Sequence, residues 1–289
     1  MLALAGGICG LAFSPLLVRL SELGPSATGV QRVFLALPFL ALWMAIEQRG
    51  LGRLLALSRR DWLVLMLAGL FWTGDLVGWH WALKLTTIAN ASLLTMTGPI
   101  FVTIGAWFVF GDRVRPGFLA GMAVALLGAA PLVVTSIELS FDNLLGDGIA
   151  VVTAGFFAAY LLAVKRMRGG LATGATMFLT CLFSLPGLAA AAWISGEALG
   201  PSTARGWALA FALALSTQAI GQALIALAMA RLPAPFTSVS LLVQPFLAIA
   251  LGWLILGEAV TPLQFLGGAA VVVGILISRR YIEPSPPPA

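Results

Sequence analysis

Residues 92–128 read SLLTMTGPIFVTIGAWFVFGDRVRPGFLAGMAVALLG, and residues 238–274 read SVSLLVQPFLAIALGWLILGEAVTPLQFLGGAAVVVG. The second stretch repeats the first at a constant shift of 146 positions, and the alignment needs no gap. The identical pairs include Ser92 and Ser238, Pro99 and Pro245, Trp107 and Trp253, Gly111 and Gly257, Val114 and Val260, Pro116 and Pro262, Gly121 and Gly267, and Gly128 and Gly274. A repeat of this regularity predicts an internal duplication.

The composition requires lipid rather than water around most of the surface. Hydrophobic residues make up 60% of the chain and charged residues 9%, and the mean hydropathy is +1.03. Ordinary globular domains contain about 25% charged residues. A pI near 10.0 would suit nucleic-acid binding, but the basic residues lie in short loops rather than in a patch with interleaved aromatics. We therefore expect the lipid bilayer, and no nucleic acid, as a partner.

Apolar runs of about 20 residues, the length that crosses a bilayer as a helix, occur ten times along the chain. Five fall in each copy, and an odd number of crossings gives the two copies opposite orientations. We therefore predict an all-α integral membrane protein whose ten transmembrane helices form two inverted five-helix repeats. The predicted repeats cover residues 1–134 and 147–280, and residues 281–289 are predicted to form a disordered tail.

Basic residues predict the orientation in the membrane, because cytoplasmic loops carry an excess of Lys and Arg. Twelve flank the side that holds both termini: Arg49, Arg53, Arg59, Arg60, Arg113, Arg115, Lys165, Arg166, Arg168, Arg231, Arg279 and Arg280. The opposite loops hold three: Arg19, Lys84 and Arg205. Both termini are therefore predicted to be cytoplasmic.

A family resemblance is carried by the fourth predicted helix and its copy. The pattern consists of residues 87–94, then Gly98 and Pro99, then residues 107–112, and it recurs in residues 238–258. It resembles the EamA-type branch of the drug/metabolite transporter superfamily, and within that branch the YddG-like bacterial amino-acid exporters. The resemblance implies a ten-helix basket whose first, third, fourth, sixth, eighth and ninth helices line a central cavity, with the second and seventh more peripheral. It implies no catalytic residues.

The charged residues predicted to lie at membrane depth are Arg32, Asp75 and the titratable His80. A charge there costs about 2.5 to 3.5 kcal/mol on insertion scales and usually marks a functional site. Asp75 shares a helix face with Trp72 and Trp79, whereas His80 lies about 140° around the axis. Asp75 is a candidate for binding an amine or carrying coupling protons, or for pairing with Arg32 to lock two helices together. His80 is either a site residue or an interfacial histidine.

Polar residues of other spans complete the candidate site. Gln218 and Gln222 lie four residues apart, at positions equivalent to Trp72 and Leu76 under the shift of 146. Serine and threonine hydroxyls at such positions either line the cavity or bond to carbonyls of their own helix. The complete candidate set for substrate binding is Ser14, Trp72, Asp75, Trp79, His80, Ser92, Thr95, Tyr160, Gln218, Gln222, Ser240 and Gln244.

Pro15, Pro99 and Pro245 are each predicted to interrupt a helix, because proline lacks the backbone donor that continues the hydrogen-bond ladder. Freed carbonyls at membrane depth are tolerated where protein or a water-filled cavity satisfies them. Breaks at these positions would suit moving gates.

These features predict a secondary transporter that exports amino acids or similar small metabolites across the bacterial inner membrane by alternating access, with protons as a possible coupling ion. No metal or other cofactor is expected. A sugar-phosphate or nucleotide-sugar carrier of the same superfamily is an alternative, and so is a passive facilitator or channel. An intramembrane enzyme is disfavoured, because the sequence has one histidine and no G-x-S-x-G motif.

Overall fold

The computed structural model describes residues 1–47, 56–86, 88–112, 114–132, 143–256 and 261–282. All regular elements in these ranges are helical, and the described residues contain no strand. The ten main helices are α1 (Leu2–Arg19), α2 (Pro25–Glu47), α3 (Arg59–Leu85), α4 (Ile88–Thr95 and Gly98–Phe110), α5 (Pro116–Ala129), α6 (Leu144–Met167), α7 (Thr173–Ile194), α8 (Ala204–Met229), α9 (Ala234–Ser240 and Gln244–Leu256) and α10 (Pro262–Arg280).

The lengths of these helices fit a membrane protein. Within the described ranges nine helices are long and apolar enough to cross a bilayer, and α5 is a shorter apolar helix that continues into a 3₁₀ turn, Ala130–Leu132. The prediction of an all-α membrane protein with ten helices is confirmed. The predicted disordered tail lies outside the described residues from position 283 onward.

Helix breaks occur at the predicted prolines. Pro15, Pro99 and Pro245 are each the second residue of a new helical segment, which begins after a short interruption. The paired segments are Leu2–Ala12 with Ser14–Arg19, Ile88–Thr95 with Gly98–Phe110, and Ala234–Ser240 with Gln244–Leu256. Pro38 interrupts α2 in the same way, whereas Pro186 lies within the continuous helix α7. The freed backbone groups thus recur in α1, α2, α4 and α9.

Internal contacts divide the chain into two compact units. Unit 1 contains the described residues of Met1–Val77 and Ala163–Arg231, and unit 2 contains those of Gly78–Leu162 and 232–282. The boundaries fall inside α3 and α6, so each unit combines helices of both predicted repeats. Helices α2 and α7, which are equivalent under the shift of 146, lie in unit 1, and the equivalent helices α5 and α10 lie in unit 2.

In unit 1 the equivalent helices α2 and α7 run antiparallel. Gly29, early in α2, lies beside Leu188, late in α7, whereas Gly174 at the start of α7 lies against the backbone of Met44 near the end of α2. Their ends are capped reciprocally. Glu47 Oε2 accepts from the Gly174 N–H at 2.6 Å, and Glu197 Oε2 accepts from the Ala27 N–H at 2.8 Å. Each carboxylate satisfies an N–H group of a helix N-terminus, where negative charge is favourable.

In unit 2 the equivalent helices α5 and α10 pack through the duplicated glycines. A Cβ atom on Gly274 would lie 2.6 Å from the Gly121 carbonyl oxygen, and a Cβ on Gly267 would lie 2.6 Å from that of Gly128. The order of these contacts makes the two helices antiparallel. Equivalent helices that run in opposite directions are what inverted repeats require, and the small residues let the two backbones approach closely.

Helix α8 contains a π-helical stretch, Ala214–Gln222, between two α-helical segments. Helix α1 packs against it through glycines: Gly10 lies against the Ser216 carbonyl, and Gly7 lies against the Gly221 carbonyl and Ile225. The wider π turn is frequent at functional sites. Here it carries Gln218 and Gln222, two of the predicted site residues.

Candidate substrate-binding site

Arg32 is the centre of a buried polar cluster in unit 1. It lies on the first segment of α2, Pro25–Phe34, in which every residue from Ser26 to Val33 is buried. The Arg32 side chain is 8% exposed. The family resemblance implied a more peripheral second helix, but its first segment is packed on all sides because α7 and the π-helical stretch of α8 both contact it.

The guanidinium of Arg32 contacts three other elements. Its Nε donates to Gln218 Oε1 at 3.2 Å, and its Nη1 donates to Ser14 Oγ at 3.4 Å. Its Cζ lies 5.5 Å from the centroid of the Trp72 ring, within the range of a cation–π interaction. Ser14, Trp72 and Gln218 were all predicted site residues. A single charged side chain of α2 therefore brings α1, α3 and α8 together.

Gln218 is 1% exposed, and both ends of its amide are engaged. Its Oε1 accepts from Arg32, and its Nε2 lies 3.1 Å from the sulfur of Cys181 on α7. Gln222, one turn further along α8, is 4% exposed. The sequence predicted that Gln218 would occupy the position on α8 that Trp72 occupies on α3, and both side chains contact the same guanidinium.

Asp75 adds a carboxyl group to the cluster. It lies about one turn after Trp72 on α3, and its residue is partly accessible. Ser14, Arg32, Trp72, Asp75, Cys181 and Gln218, all in unit 1, are called the Arg32 cluster below. The cluster thus contains one basic and one acidic side chain within candidate membrane-spanning segments.

The remaining candidates lie in unit 2, and two of their hydroxyls bond to their own helices. Thr95 Oγ1 lies 2.9 Å from the Ala91 carbonyl oxygen and 3.0 Å from that of Ser92, and Ser240 Oγ donates to the Phe236 carbonyl at 2.9 Å. This is the packing alternative that the sequence left open for serine and threonine. As site residues, Ser92, Thr95 and Ser240 stay predictions.

The aromatic candidates of unit 2 differ in their surroundings. Tyr160 is 1% exposed, and its ring centroid lies 6.3 Å from that of Phe157. Trp79 packs against a small cluster of buried alanines that includes Ala82. Gln244 is half-buried at the start of the second segment of α9. The side chain of His80 lies outside the described residues, so its two interpretations stay open.

A second polar cluster in unit 2 was not predicted. The carboxylate of Asp147, in the first turn of α6, accepts from Thr86 Oγ1 at 2.5 Å and from Asn90 Nδ2 at 3.2 Å. Thr86 and Asn90 are buried. Two features of the sequence could have indicated this cluster: the amide of Asn90 within an apolar span, and the acid Asp147 at the start of a helix. These bonds connect the junction of α3 and α4 to the start of α6.

Cys181 was also missed, because a cysteine in an apolar span gives no pattern to interpret. Its sulfur is buried and reduced, and it contacts Gln218. A thiol is a weak acceptor, so this contact holds the amide less firmly than a carbonyl would. Arg32 had been recognised as an intramembrane charge but excluded from the site, and its position at the centre of the cluster could not be obtained from spacing alone.

The model of the EamA-like transporter family matches residues 1–134 and 144–280 of the chain. A protein of Streptantibioticus cattleyicolor named "Probable terminal-alkyne amino-acid exporter" is 30% identical over 208 residues, which are 70% of this chain and 68% of that protein. The pseudopaline exporter of Pseudomonas aeruginosa PAO1 is 23% identical and aligned over 94% of both chains.

A third relative, the threonine/homoserine exporter of Escherichia coli K12, is 25% identical over 70% of this chain and 66% of its own length. A solved crystal structure superposes on 96% of this chain and 96% of its own with a TM-score of 0.81, at 20% sequence identity. At that identity the superposition shows a shared fold and nothing about substrate.

Proposed function

Because the chain belongs to the EamA-like transporter family, we propose that it exports amino acids or similar small metabolites across a bacterial inner membrane by alternating access. The family and the exporter names of the relatives establish a small-molecule transporter of multi-pass membrane type. The proposal adds the substrate class, the direction of transport, the alternating-access mechanism and the identity of the membrane. Ten helices in the described residues, with polar residues concentrated on a few of them, are consistent with this role.

The Arg32 cluster is the observation that carries the proposal. Opposite charges at membrane depth are costly to retain unless they pair with each other or with a ligand. Arg32 on α2 donates to the neutral polar groups of Ser14 and Gln218, and Asp75 lies on α3 about one turn from the Trp72 ring that stacks on the guanidinium. Such a site suits a small molecule that is itself polar but carries no net charge. Amino acids at neutral pH have this property.

Alternating access is supported by the inverted pairs of helices. Helices α2 and α7 run antiparallel in unit 1, and α5 and α10 do so in unit 2. In transporters of this architecture, rocking of one group of helices against another opens the site to either side in turn. The proline breaks in α1, α4 and α9 give these helices positions where they can bend.

A carrier of phosphorylated solutes is less well supported by the same cluster. Phosphate groups are usually bound by several guanidinium or ammonium groups that form charge-assisted hydrogen bonds. The cluster offers one such group, Arg32, and an acidic side chain nearby. The carboxylate of Asp75 would repel a phosphate.

The test is efflux from proteoliposomes that contain the purified protein. Each labelled L-amino acid is loaded inside, and its exchange and its uphill movement are measured with protein-free liposomes as the blank. Accumulation against a substrate gradient supports coupled transport, whereas movement that stops at equal concentrations indicates a passive facilitator. Failure of every amino acid and related small metabolite to move would overturn the proposal.

A matched pair of variants tests whether the Arg32 cluster is the site. Gln218→Leu removes the acceptor of Arg32 and should reduce transport at least about tenfold while the protein still folds. Thr217→Val is the control, because Thr217 is equally buried on α8 but its hydroxyl donates to the Leu213 carbonyl of its own helix. Equal activity of the two variants would remove the cluster from the transport site.

A further inference from the structure

The Arg32 cluster combines a guanidinium and a carboxyl group, and each lies on a different helix of unit 1. Arg32 lies on α2 and Asp75 on α3, with the Trp72 ring beside the guanidinium. We propose that these two residues determine the substrate class by binding the two ends of an α-amino-acid zwitterion. Arg32 binds the α-carboxylate and Asp75 binds the α-ammonium. This inference rests on the proposed function and names the substrate chemistry of its site.

The present contacts of Arg32 can be exchanged for a carboxylate. The guanidinium donates to an amide oxygen of Gln218 and a hydroxyl of Ser14, both neutral acceptors at 3.2 and 3.4 Å. A carboxylate is a stronger acceptor for a guanidinium, since it carries a full negative charge and can accept two parallel N–H groups. Replacement of the neutral acceptors by a substrate carboxylate is therefore favourable.

Gln218 can change its role when the carboxylate arrives. Its Nε2 group lies 3.1 Å from the sulfur of Cys181, which is a weak acceptor. Turning the amide toward the substrate sacrifices only this weak contact and gives the carboxylate a second donor. Gln218 thus satisfies Arg32 in the empty site and the substrate in the occupied one.

Asp75 is positioned for the other end of the molecule. It follows Trp72 by three residues, about 4.5 Å along the axis of α3, while the guanidinium lies over the Trp72 ring. A small molecule between the two groups can reach both.

The arrangement predicts strict recognition of both charges. A bound zwitterion places its carboxylate at Arg32 and its ammonium at Asp75, so both charges of the substrate are compensated in a region that water reaches poorly. An analogue that lacks the carboxylate leaves Arg32 with its neutral acceptors and brings an uncompensated cation. An analogue that lacks the ammonium places a carboxylate near Asp75. Sites built to bond a particular group reject analogues that lack it.

The experiment measures competition in proteoliposomes. Labelled L-amino acids are screened singly for exchange, and each transported one is competed with its methyl ester and its N-acetyl derivative. The ester lacks the carboxylate charge, and the acetyl compound lacks the ammonium charge. For the wild-type protein we expect both derivatives to compete at least about 100-fold more weakly than the parent amino acid.

Two variants should each remove the requirement for one charged end of the substrate. Arg32→Gln should bring the methyl ester to within about tenfold of the parent while the N-acetyl derivative stays excluded. Asp75→Asn should do the reverse. Thr217→Val, outside the cluster, should keep the wild-type pattern. If Arg32 and Asp75 had only a structural role, each variant would bind the parent amino acid, the methyl ester and the N-acetyl derivative more weakly by a similar factor, and this opposite pattern would be absent.

Folding is checked by gel filtration and thermal unfolding of each variant. A lone Arg32 or Asp75 destabilises the protein, and the double variant Arg32→Gln with Asp75→Asn restores charge balance and should recover much of the stability. If the single variants do not fold, the competition experiment with the wild-type protein still tests the inference. A derivative that competes as strongly as the parent amino acid would overturn it.

The failures of the two proposals differ in this assay. Transport of amino acids with no discrimination between parent and derivatives would overturn the zwitterion site and leave the exporter proposal standing. Transport of other metabolites alone would overturn the zwitterion site and the amino-acid part of the proposal. Absence of any transport would overturn both.

Discussion

The contact between α5 and α10 allows the cost of a single methyl group to be worked out. A Cβ atom on Gly274 would lie 2.5 Å from the Ala125 nitrogen and 2.6 Å from the Gly121 oxygen. Both are backbone atoms, so Gly274→Ala forces the two helices apart instead of moving a flexible side chain. Overpacking of this kind costs about 1–3 kcal/mol.

Gly155→Ala is the matched control. Gly155 lies within α6 in the same unit, and a Cβ added there would meet nothing within 4 Å. Both substitutions replace a helical glycine by alanine, which by itself is favourable by roughly 0.8–1 kcal/mol, and this gain cancels when the two variants are compared. The free energies of unfolding should therefore differ by the overpacking cost, about 1–3 kcal/mol.

The assay is unfolding of the purified protein in detergent, by temperature or by increasing SDS. We expect Gly155→Ala to be at least as stable as the wild-type protein and Gly274→Ala to be less stable. The double variant Gly121→Ala with Gly274→Ala should be less destabilised than the sum of the singles, because one separation of the helices accommodates both methyl groups. Equal unfolding of Gly274→Ala and Gly155→Ala would refute the close approach of α5 and α10.

Three further predictions concern the ends and the lining of the helices. Hydrogen bonds from Thr203 and Ser202 hold the pKa of Glu22 below its ordinary value of 4.5, so the stability that they contribute is present above about pH 4.5 and lost as the pH falls through the lowered pKa. Thermal unfolding should therefore show that acid lowers the stability of Glu22→Gln less than that of the wild-type protein. Equal losses of stability in acid would contradict this. In a background with both native cysteines replaced, Ser202→Cys should label from outside the cell with an impermeant reagent and Arg231→Cys only after permeabilisation, whereas the reverse pattern would invert the predicted orientation. Gln244→Leu should impair transport in proteoliposomes at normal folded yield, and unchanged transport would remove Gln244 from the site.

The helices could be predicted from the sequence because membrane-spanning length and helix-breaking prolines are local properties. Runs of about 20 apolar residues gave ten spans, and the breaks at Pro15, Pro99 and Pro245 follow from a missing backbone donor. The π-helical stretch of α8 could not be predicted in this way. In the structure this stretch packs against the glycines of α1, a contact between distant parts of the chain that local sequence properties do not reveal.

The candidate site was predicted only in part, for a physical reason. Trp72, Asp75 and Gln218 were predicted because polar or aromatic side chains on one helix face suggest a lining, and the structure places Trp72 and Gln218 against Arg32. Their role in substrate binding stays a prediction. Arg32 was set aside, since its helix was expected to be peripheral, and Cys181 gave no signal. Which helices surround a charge depends on long-range packing, and spacing along one helix does not contain that information.

The glycine contact between α5 and α10 also bears on the history of the gene. Each helix presents the same two glycine positions to the other: Gly121 faces Gly274, and Gly128 faces Gly267. A surface that fits its own copy in this reciprocal manner is the condition for a two-fold symmetric dimer. A five-helix ancestor with this surface could pair with a second molecule inserted in the opposite sense. Gene fusion would then have made a contact between subunits into a contact within one chain, and the glycines would be retained in both halves because neither backbone can retreat from the other.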